Sequence, residues 1–162
     1  MYRLDQERDQ DWWEVEALYD LCFAPGREAL SSYRLRDGIS PVRKFCLVAR
    51  DPDNILAAAI RYWPVLIGQW EALLLGPIAV HPTRQGEGLG GLLITDSLER
   101  AHGSGWDRVM LVGDAPYYER FGFYKLTGVE MPPPTNPDRV LGSGNWTNVS
   151  GTVSRWTGAP LE

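Results

Sequence analysis

The chain predicts one α/β domain over residues 1–162, on three observations. Residues 12–23 carry apolar side chains at helical spacing. Residues 55–80 form two long β-rich runs around Gly68, and the second run passes through a glycine-dense turn into another apolar helix.

Taken in order, Tyr2 to Leu4 suits a first strand, and Trp12 to Phe23 a helix with Val15, Leu18, Tyr19 and Cys22 on one face, ended by Pro25-Gly26. Glu28 to Arg36 reads as a second, shorter helix, and Lys44 to Arg50 as a strand closed by the turn Asp51-Pro52-Asp53-Asn54. Ile55 to Ile67 and Gln69 to Val80 form a hairpin whose second strand is interrupted at Gly76-Pro77, as at a bulge or splay, because proline has no N–H for the ladder. Gly88 to Gly103 is the central helix, with Leu89, Leu92, Leu93, Leu98 and Ala101 as its apolar contacts. Arg108 to Val112 is a strand, Pro116 to Arg120 a short helix and Phe123 to Leu126 another strand. Met131-Pro132-Pro133-Pro134 and Gly142 to Asn148 read as loop, and Gly151 to Trp156 as a last strand.

At 44% hydrophobic, with no repeat or internal linker, 162 residues suffice for one domain with a substantial core. No apolar stretch approaches the ~18 to 20 residues that span a bilayer, and the charged start Met1-Tyr2-Arg3-Leu4-Asp5 is unlike a signal peptide, so a soluble, cytoplasmic protein with no membrane partner is expected. Cys22 and Cys46 sit among apolar neighbours as buried thiols, and with only His81 and His102 beside them no metal is expected. A net charge of -5 with scattered arginines argues against nucleic acid and gives at most a mild attraction for amines.

The densest chemistry lies in Ile78-Ala79-Val80-His81-Pro82-Thr83-Arg84-Gln85-Gly86-Glu87-Gly88-Leu89-Gly90-Gly91, which reads as a pyrophosphate cradle. A helix start leaves backbone N–H groups unpaired and adds a dipole favouring anions. Glycines at 86, 88 and 90 let the backbone come close and turn at positive φ, and Arg84 adds a full charge. The formal G-x-G-x-x-G match is not that of a dinucleotide fold, where the first glycine follows the strand almost at once; here His81 to Gln85 intervene. No Lys-Ser or Lys-Thr follows, which excludes a P-loop.

Gln85-Gly86-Glu87-Gly88-Leu89-Gly90 resembles the Q/R-x-x-G-x-G/A signature of the GCN5-related N-acetyltransferase (GNAT) family, and Ala115-Pro116-Tyr117-Tyr118-Glu119-Arg120-Phe121-Gly122-Phe123 is similar to its tyrosine and Gly-Phe segment. The likeness extends to Leu75-Gly76-Pro77-Ile78-Ala79-Val80-His81-Pro82, Val112-Gly113-Asp114, Asn136-Pro137-Asp138-Arg139 and Val149-Ser150-Gly151-Thr152-Val153, which resemble the bacterial branch of predicted N-acetyltransferases. It is strong from Glu71 to Phe123 and softer at both ends.

The resemblance implies a mixed, mostly antiparallel twisted sheet of six to seven strands with about four helices and a splayed central strand pair. It implies acetyl-coenzyme A (acetyl-CoA) as cosubstrate and a primary amine as acceptor. Ile78, Ala79 and Val80 would hold the pantetheine arm through their backbone, with Arg84, Gln85, Gly86, Glu87, Gly88, Leu89, Gly90 and Gly91 at the pyrophosphate.

Acetyl transfer needs a neutral amine, an activated carbonyl and a proton for the departing thiolate, with much of the acceleration from proximity. A backbone N–H near Ala79 is the oxyanion candidate. Tyr118, four residues before Gly122, is the candidate acid and thiol contact, with Tyr117 its alternate; both rings could instead serve the core. For the base, Glu71, His81 and a water relay stay open. Arg27, Tyr33, Arg34, Arg61, Trp63 and Trp146 are acceptor-pocket candidates. Transfer of another acyl group, or a CoA-binding sensor without turnover, are the competing readings. Homodimers are common in the family, and the sequence neither requires nor excludes one.

Overall fold

The long hairpin is the spine of the molecule. The computed structural model describes residues 1–23, 31–159 and 161, with Ser31 in its backbone alone. The strands are β1 (Arg3–Gln6), β2 (Leu47–Arg50), β3 (Leu56–Ile67), β4 (Trp70–Val80), β5 (Val109–Val112), β6 (Tyr124–Lys125), β7 (Val129–Glu130), β8 (Val140–Ser143) and β9 (Gly151–Arg155). The helices are α1 (Trp12–Cys22), α2 (Ser31–Arg34), α3 (Leu89–Gly103) and α4 (Ala115–Tyr118). The sheet runs β1-β2-β3-β4-β5-β8-β6, while β9 pairs with the far half of β3 and with β7. Every pairing is antiparallel except β4 with β5 and β7 with β9.

Almost every residue of β3 is buried, because both faces of the sheet are covered. Ala58, Ile60, Tyr62, Leu73 and Leu75 pack with Leu89, Leu93 and Ile94 of α3. Their neighbours Ala59 and Ala79 face the other way, against Val15, Leu18 and Tyr19 of α1. A strand buried on both faces loses the apolar-polar alternation, hence the continuous run Leu56-Ala57-Ala58-Ala59-Ile60. The face of α3 is rotated from the expected one: Leu92 is exposed, while Ile94 and Ser97 are buried, Ser97 bonded through its hydroxyl to the Tyr62 hydroxyl at 2.7 Å. The N-terminal segment is tied to the sheet by buried ions. Arg61 forks onto Glu7 at 2.9 and 3.0 Å and also pairs with Glu16, and Arg50 Nη2 bonds Asp11 at 2.9 Å and Glu14 at 2.8 Å.

The interruption in β4 is a bulge and a splay together. Opposite Ile60 and Tyr62 of β3 stand Ile78 and Leu75, so Gly76 and Pro77 together oppose Arg61. Gly76 has φ +131 and is joined to Pro77 by a cis peptide. On its other edge β4 pairs with β5 only at Leu73↔Val109 and Leu74↔Met110, after which the strands part.

Several boundaries differ from the sequence expectation. Residues 44–50 divide into a 3-10 turn, Arg43–Phe45, and the short β2. Residues 115–121 divide into α4 and a 3-10 turn, Glu119–Phe121. Of the expected helix 28–36, α2 covers Ser31–Arg34, Leu35 and Arg36 lie in the turn after it, and residues 28–30 lie outside the described residues. Among the described residues nine strands stand where six to seven were expected, because two-residue β7 and four-residue β8 are too short to show a period. Among the described residues no helix is long and apolar enough to cross a membrane.

Candidate active site

The turn before α3 forms the predicted concavity. Gly86 and Gly88 have φ +87 and +81, in the left-handed region that glycine takes without strain, and Gly88 caps α3 with no side-chain hydrogen bond to its first turn. The opening N–H groups of α3 thus keep no partner within the helix. They border a cavity of about 670 Å³ lined by Val80, Gln85, the glycines and, across it, Tyr117 and Phe121. Gln85 Nε2 reaches back to Val80 O at 3.4 Å. Gly90 is a close approach: a Cβ there would sit 3.2 Å from the Tyr117 hydroxyl oxygen.

Two charges of the turn are already engaged. Arg84 bonds Asp51 Oδ2 at 2.5 Å and Tyr2 at 3.0 Å, and the Tyr2 hydroxyl donates to Glu87 Oε1 at 2.8 Å, so Glu87 stands outside the cavity lining. Arg120, which the sequence reading did not single out, lines the same cavity, stacked 4.5 Å from the Tyr117 ring centroid.

Along β4 the ladder decides which backbone groups face the gap. His81 N–H donates to Ala57 O at 2.7 Å, making 57/81 a hydrogen-bonded pair; by antiparallel alternation 59/79 is another. Ala79 therefore turns its N–H and C=O to Ala59. Ile78 and Val80 turn theirs away from β3. The Ala79 N–H expected as oxyanion donor is thus turned into the ladder, and Ile78 carries the N–H closest to the bulge that faces away from it.

Where β4 and β5 part, the gap opens into a cleft of about 760 Å³ with a mostly apolar wall. Tyr117 lines both this cleft and the glycine cavity, so the two adjoin at its ring. Tyr118 projects into the cleft from the end of α4, edge-on to Tyr117 at 5.0 Å between centroids and to Phe123 at 5.9 Å. Burial, reinforced by Tyr117 and by Asp114 against the pull of Arg139, pushes the Tyr118 pKa up to about 12. The phenol therefore stays protonated throughout the neutral range. Charged groups at the cleft, among the described residues, are Arg36, Asp114 and Arg139.

The other candidates are dispersed. Glu71 is exposed at the start of β4, its carbonyl accepting from Arg108 at 2.9 Å, and lines neither cavity. His81 Nδ1 takes up the Thr83 N–H at 3.2 Å and the Thr83 hydroxyl at 2.8 Å and likewise lines neither. Tyr33 is at the cleft, whereas Trp63 supports it from behind by donating to Gly76 O at 2.8 Å. Arg61 is committed to Glu7 and Glu16, Arg34 to Pro133 O at 2.5 Å, and Trp146 is buried with its indole on Ser143 O at 2.9 Å. Arg27 lies outside the described residues. Cys22 donates to Val80 O at 3.4 Å, and burial pushes the Cys46 thiol up to about 12, so neither environment favours a thiolate.

The family model of the acetyltransferase (GNAT) domain matches residues 43–125. The chain belongs to the GNAT family. Among curated relatives of this GNAT chain, the uncharacterized N-acetyltransferase YjhQ of Escherichia coli K12 is 42% identical over 55 residues, 34% of this chain and 30% of YjhQ. The uncharacterized N-acetyltransferase YhbS of the same strain is 30% identical over 114 residues, 67% of this chain and 65% of YhbS. The matched stretches thus span less than two thirds of either relative. The structure of YhbS from E. coli in complex with CoA superposes with a TM-score of 0.82 at 23% identity, covering 99% of this chain and 96% of that one. A GNAT family acetyltransferase from Brucella melitensis in complex with acetyl-CoA gives 0.64 at 32% identity, covering 84% and 94%. The sheet, the splayed β4/β5 pair and the glycine turn before α3 are thus set in a GNAT fold.

Proposed function

We propose that this GNAT chain transfers an acetyl group from acetyl-CoA to a primary amine by direct attack, without a covalent enzyme intermediate. One observation carries the reading: the free N–H groups at the start of α3, the outward backbone of Ile78 and Val80, and Tyr118 lie in that order along two adjoining cavities. That succession matches a phosphate end, an extended polar arm and a reacting thioester. The positive φ and open surroundings of Gly86 and Gly88 fit a diphosphate held by backbone donors. Solved GNAT neighbours bind CoA and acetyl-CoA.

When bound, acetyl-CoA supplies an activated thioester carbonyl that an amine attacks directly, the N–C bond forming as the C–S bond breaks. The Ile78 N–H is the donor for the oxygen on which charge develops. Tyr118 gives its phenolic proton to the departing sulfur and recovers one from solvent. Asp114 is the sole carboxylate among the described residues lining the cleft, and it takes the proton released by the amine. Glu71, which lines neither cavity, is given no part. Arg120 supplements the backbone at the phosphate end, where Arg84 chiefly braces the turn against Asp51.

The test is acetyl-CoA titration by calorimetry followed by free-thiol release with a panel of primary amines. Binding with amine-dependent release supports transfer. Binding with no release across the panel favours the sensor reading, and release only with a longer acyl-CoA favours a different acyl group. A cytoplasmic setting belongs to the same reading, since acetyl-CoA is an intracellular metabolite.

A further inference from the structure

Three arginines are buried in the described molecule, and two are satisfied by carboxylates: Arg61 by Glu7 and Glu16, and Arg50 by Asp11 and Glu14. The third, Arg36, is only 9% exposed and forms no ion pair among the described residues; its Nε is buried without a hydrogen-bond partner there. Leaving a guanidinium N–H so is costly, because burial removes water from Nε without supplying an acceptor to it. Burial does push the Arg36 pKa down, with the Tyr33 phenol opposing, yet arginine starts so high that it stays charged.

The guanidinium is held in place rather than adrift. It stacks 3.9 Å from the Tyr33 ring centroid and 5.2 Å from that of Trp63, and a Cβ on Gly76 would lie 3.8 Å from Nη2. Arg36 therefore lines the cleft at the point where β4 bulges, on the same cavity as Tyr118 and Asp114. A planar fork fixed by aromatic stacking is suited to a planar two-oxygen anion. With Arg139 also at the rim, the described lining holds two cations against one carboxylate, the reverse of the protein's net charge of -5.

From this geometry we infer that the acceptor is an amino carboxylate: a small molecule whose carboxylate pairs with Arg36 while its amine faces Asp114 and the thioester. The inference rests on the acetyltransferase reading and adds the substrate class. It also replaces the diffuse attraction for amines expected from overall acidity with a specific anion site inside the cleft.

The experiment uses the full chain, acetyl-CoA, and pairs of amines differing only in the anion: α-, β- and γ-amino acids, each beside its carboxamide and its descarboxy amine. Free-thiol release gives kcat/KM for each. A charge-assisted pair of this kind predicts a preference of about 10- to 100-fold for at least one acid over its amide. In Arg36→Gln that ratio collapses towards one, and Arg36→Lys, which keeps charge but not the fork, falls between. Because the acid-to-amide ratio is measured first in the unaltered protein, a variant that fails to fold does not decide the matter. Acids and amides used equally, or a preference untouched by Arg36→Gln, overturns the inference while leaving acetyl transfer intact. A protein that binds no acetyl-CoA in calorimetry overturns the parent reading instead. One that binds it and accepts only amines without a carboxylate contradicts this inference alone. Titrating the N-acetylated acids into the protein adds a readout independent of turnover, with weaker binding to Arg36→Gln expected.

Discussion

Tyr118 lies against the backbone of Gly113 so closely that a Cβ at Gly113 would stand 2.6 Å from its Cε2. No side chain fits there without moving the ring. Gly113 immediately follows β5, and its N–H donates to Arg139 O at 2.9 Å, so the backbone cannot readily yield.

Gly113→Ala is accordingly expected to shift the Tyr118 hydroxyl and lower kcat by about 10-fold or more, since small misplacements of reacting groups are costly. Acetyl-CoA affinity should change far less, because the glycine turn proposed to hold the phosphates lines the other cavity. Single-turnover thiol release beside calorimetry separates the two; loss of both in parallel would mean that Gly113 serves binding.

Tyr118→Phe removes only the hydroxyl, and a fall in kcat of about 100-fold is expected with binding largely kept. The pH profile gives a second check. A pKa raised to about 12 keeps the acid form of Tyr118 filled through the neutral and mildly alkaline range, and that form is lost only as pH climbs through the raised value. Turnover with saturating amine should therefore show no alkaline decline due to Tyr118 below about pH 11. A decline centred near pH 9 that vanishes in Tyr118→Phe would contradict both role and environment.

Gly88→Asp places a carboxylate at the cap of α3, where φ is +81 and the N–H groups face the cavity. Repulsion of a diphosphate and mild backbone strain act together, and CoA affinity is expected to drop by at least about 100-fold. Circular dichroism and thermal melting establish that the variant is folded, and unchanged affinity in a folded variant removes the cradle from the account.

Glu7→Ala leaves Arg61 buried with Glu16 as its remaining carboxylate partner among the described residues. Breaking a buried ion pair from one side predicts a loss of about 3–5 kcal/mol in urea unfolding. A loss under about 1 kcal/mol would show that water reaches Arg61.

The fold was readable wherever an element was long. The β3–β4 hairpin and α3 hold enough residues for their periods to show, and Gly76-Pro77 advertised its own interruption. β8 escaped because Val140–Ser143 is four residues, buried throughout, with a glycine inside it. The glycine turn before α3 is local and could be read in one dimension. The cleft could not. In Arg34-Leu35-Arg36 nothing distinguishes the exposed Arg34, bonded to Pro133 O, from the buried Arg36; tertiary packing alone decides. Asp114 was quoted in a motif, and only the parting of β4 and β5 shows it on the same cleft as Tyr118. Ladder alternation past a bulge likewise separates Ile78 from Ala79, and no spacing rule supplies that register.

The central claim is that two adjoining cavities carry acetyl-CoA past Tyr118 to an amine. Its most direct test is acetyl-CoA consumption by the purified chain with and without primary amines, with the acetylated product identified by mass. The account predicts saturable binding, thiol release that depends on the amine, and one acetyl group on amine nitrogen for each thiol released. Absence of acetyl-CoA binding, or release that proceeds equally without any amine and leaves free acetate, would contradict it.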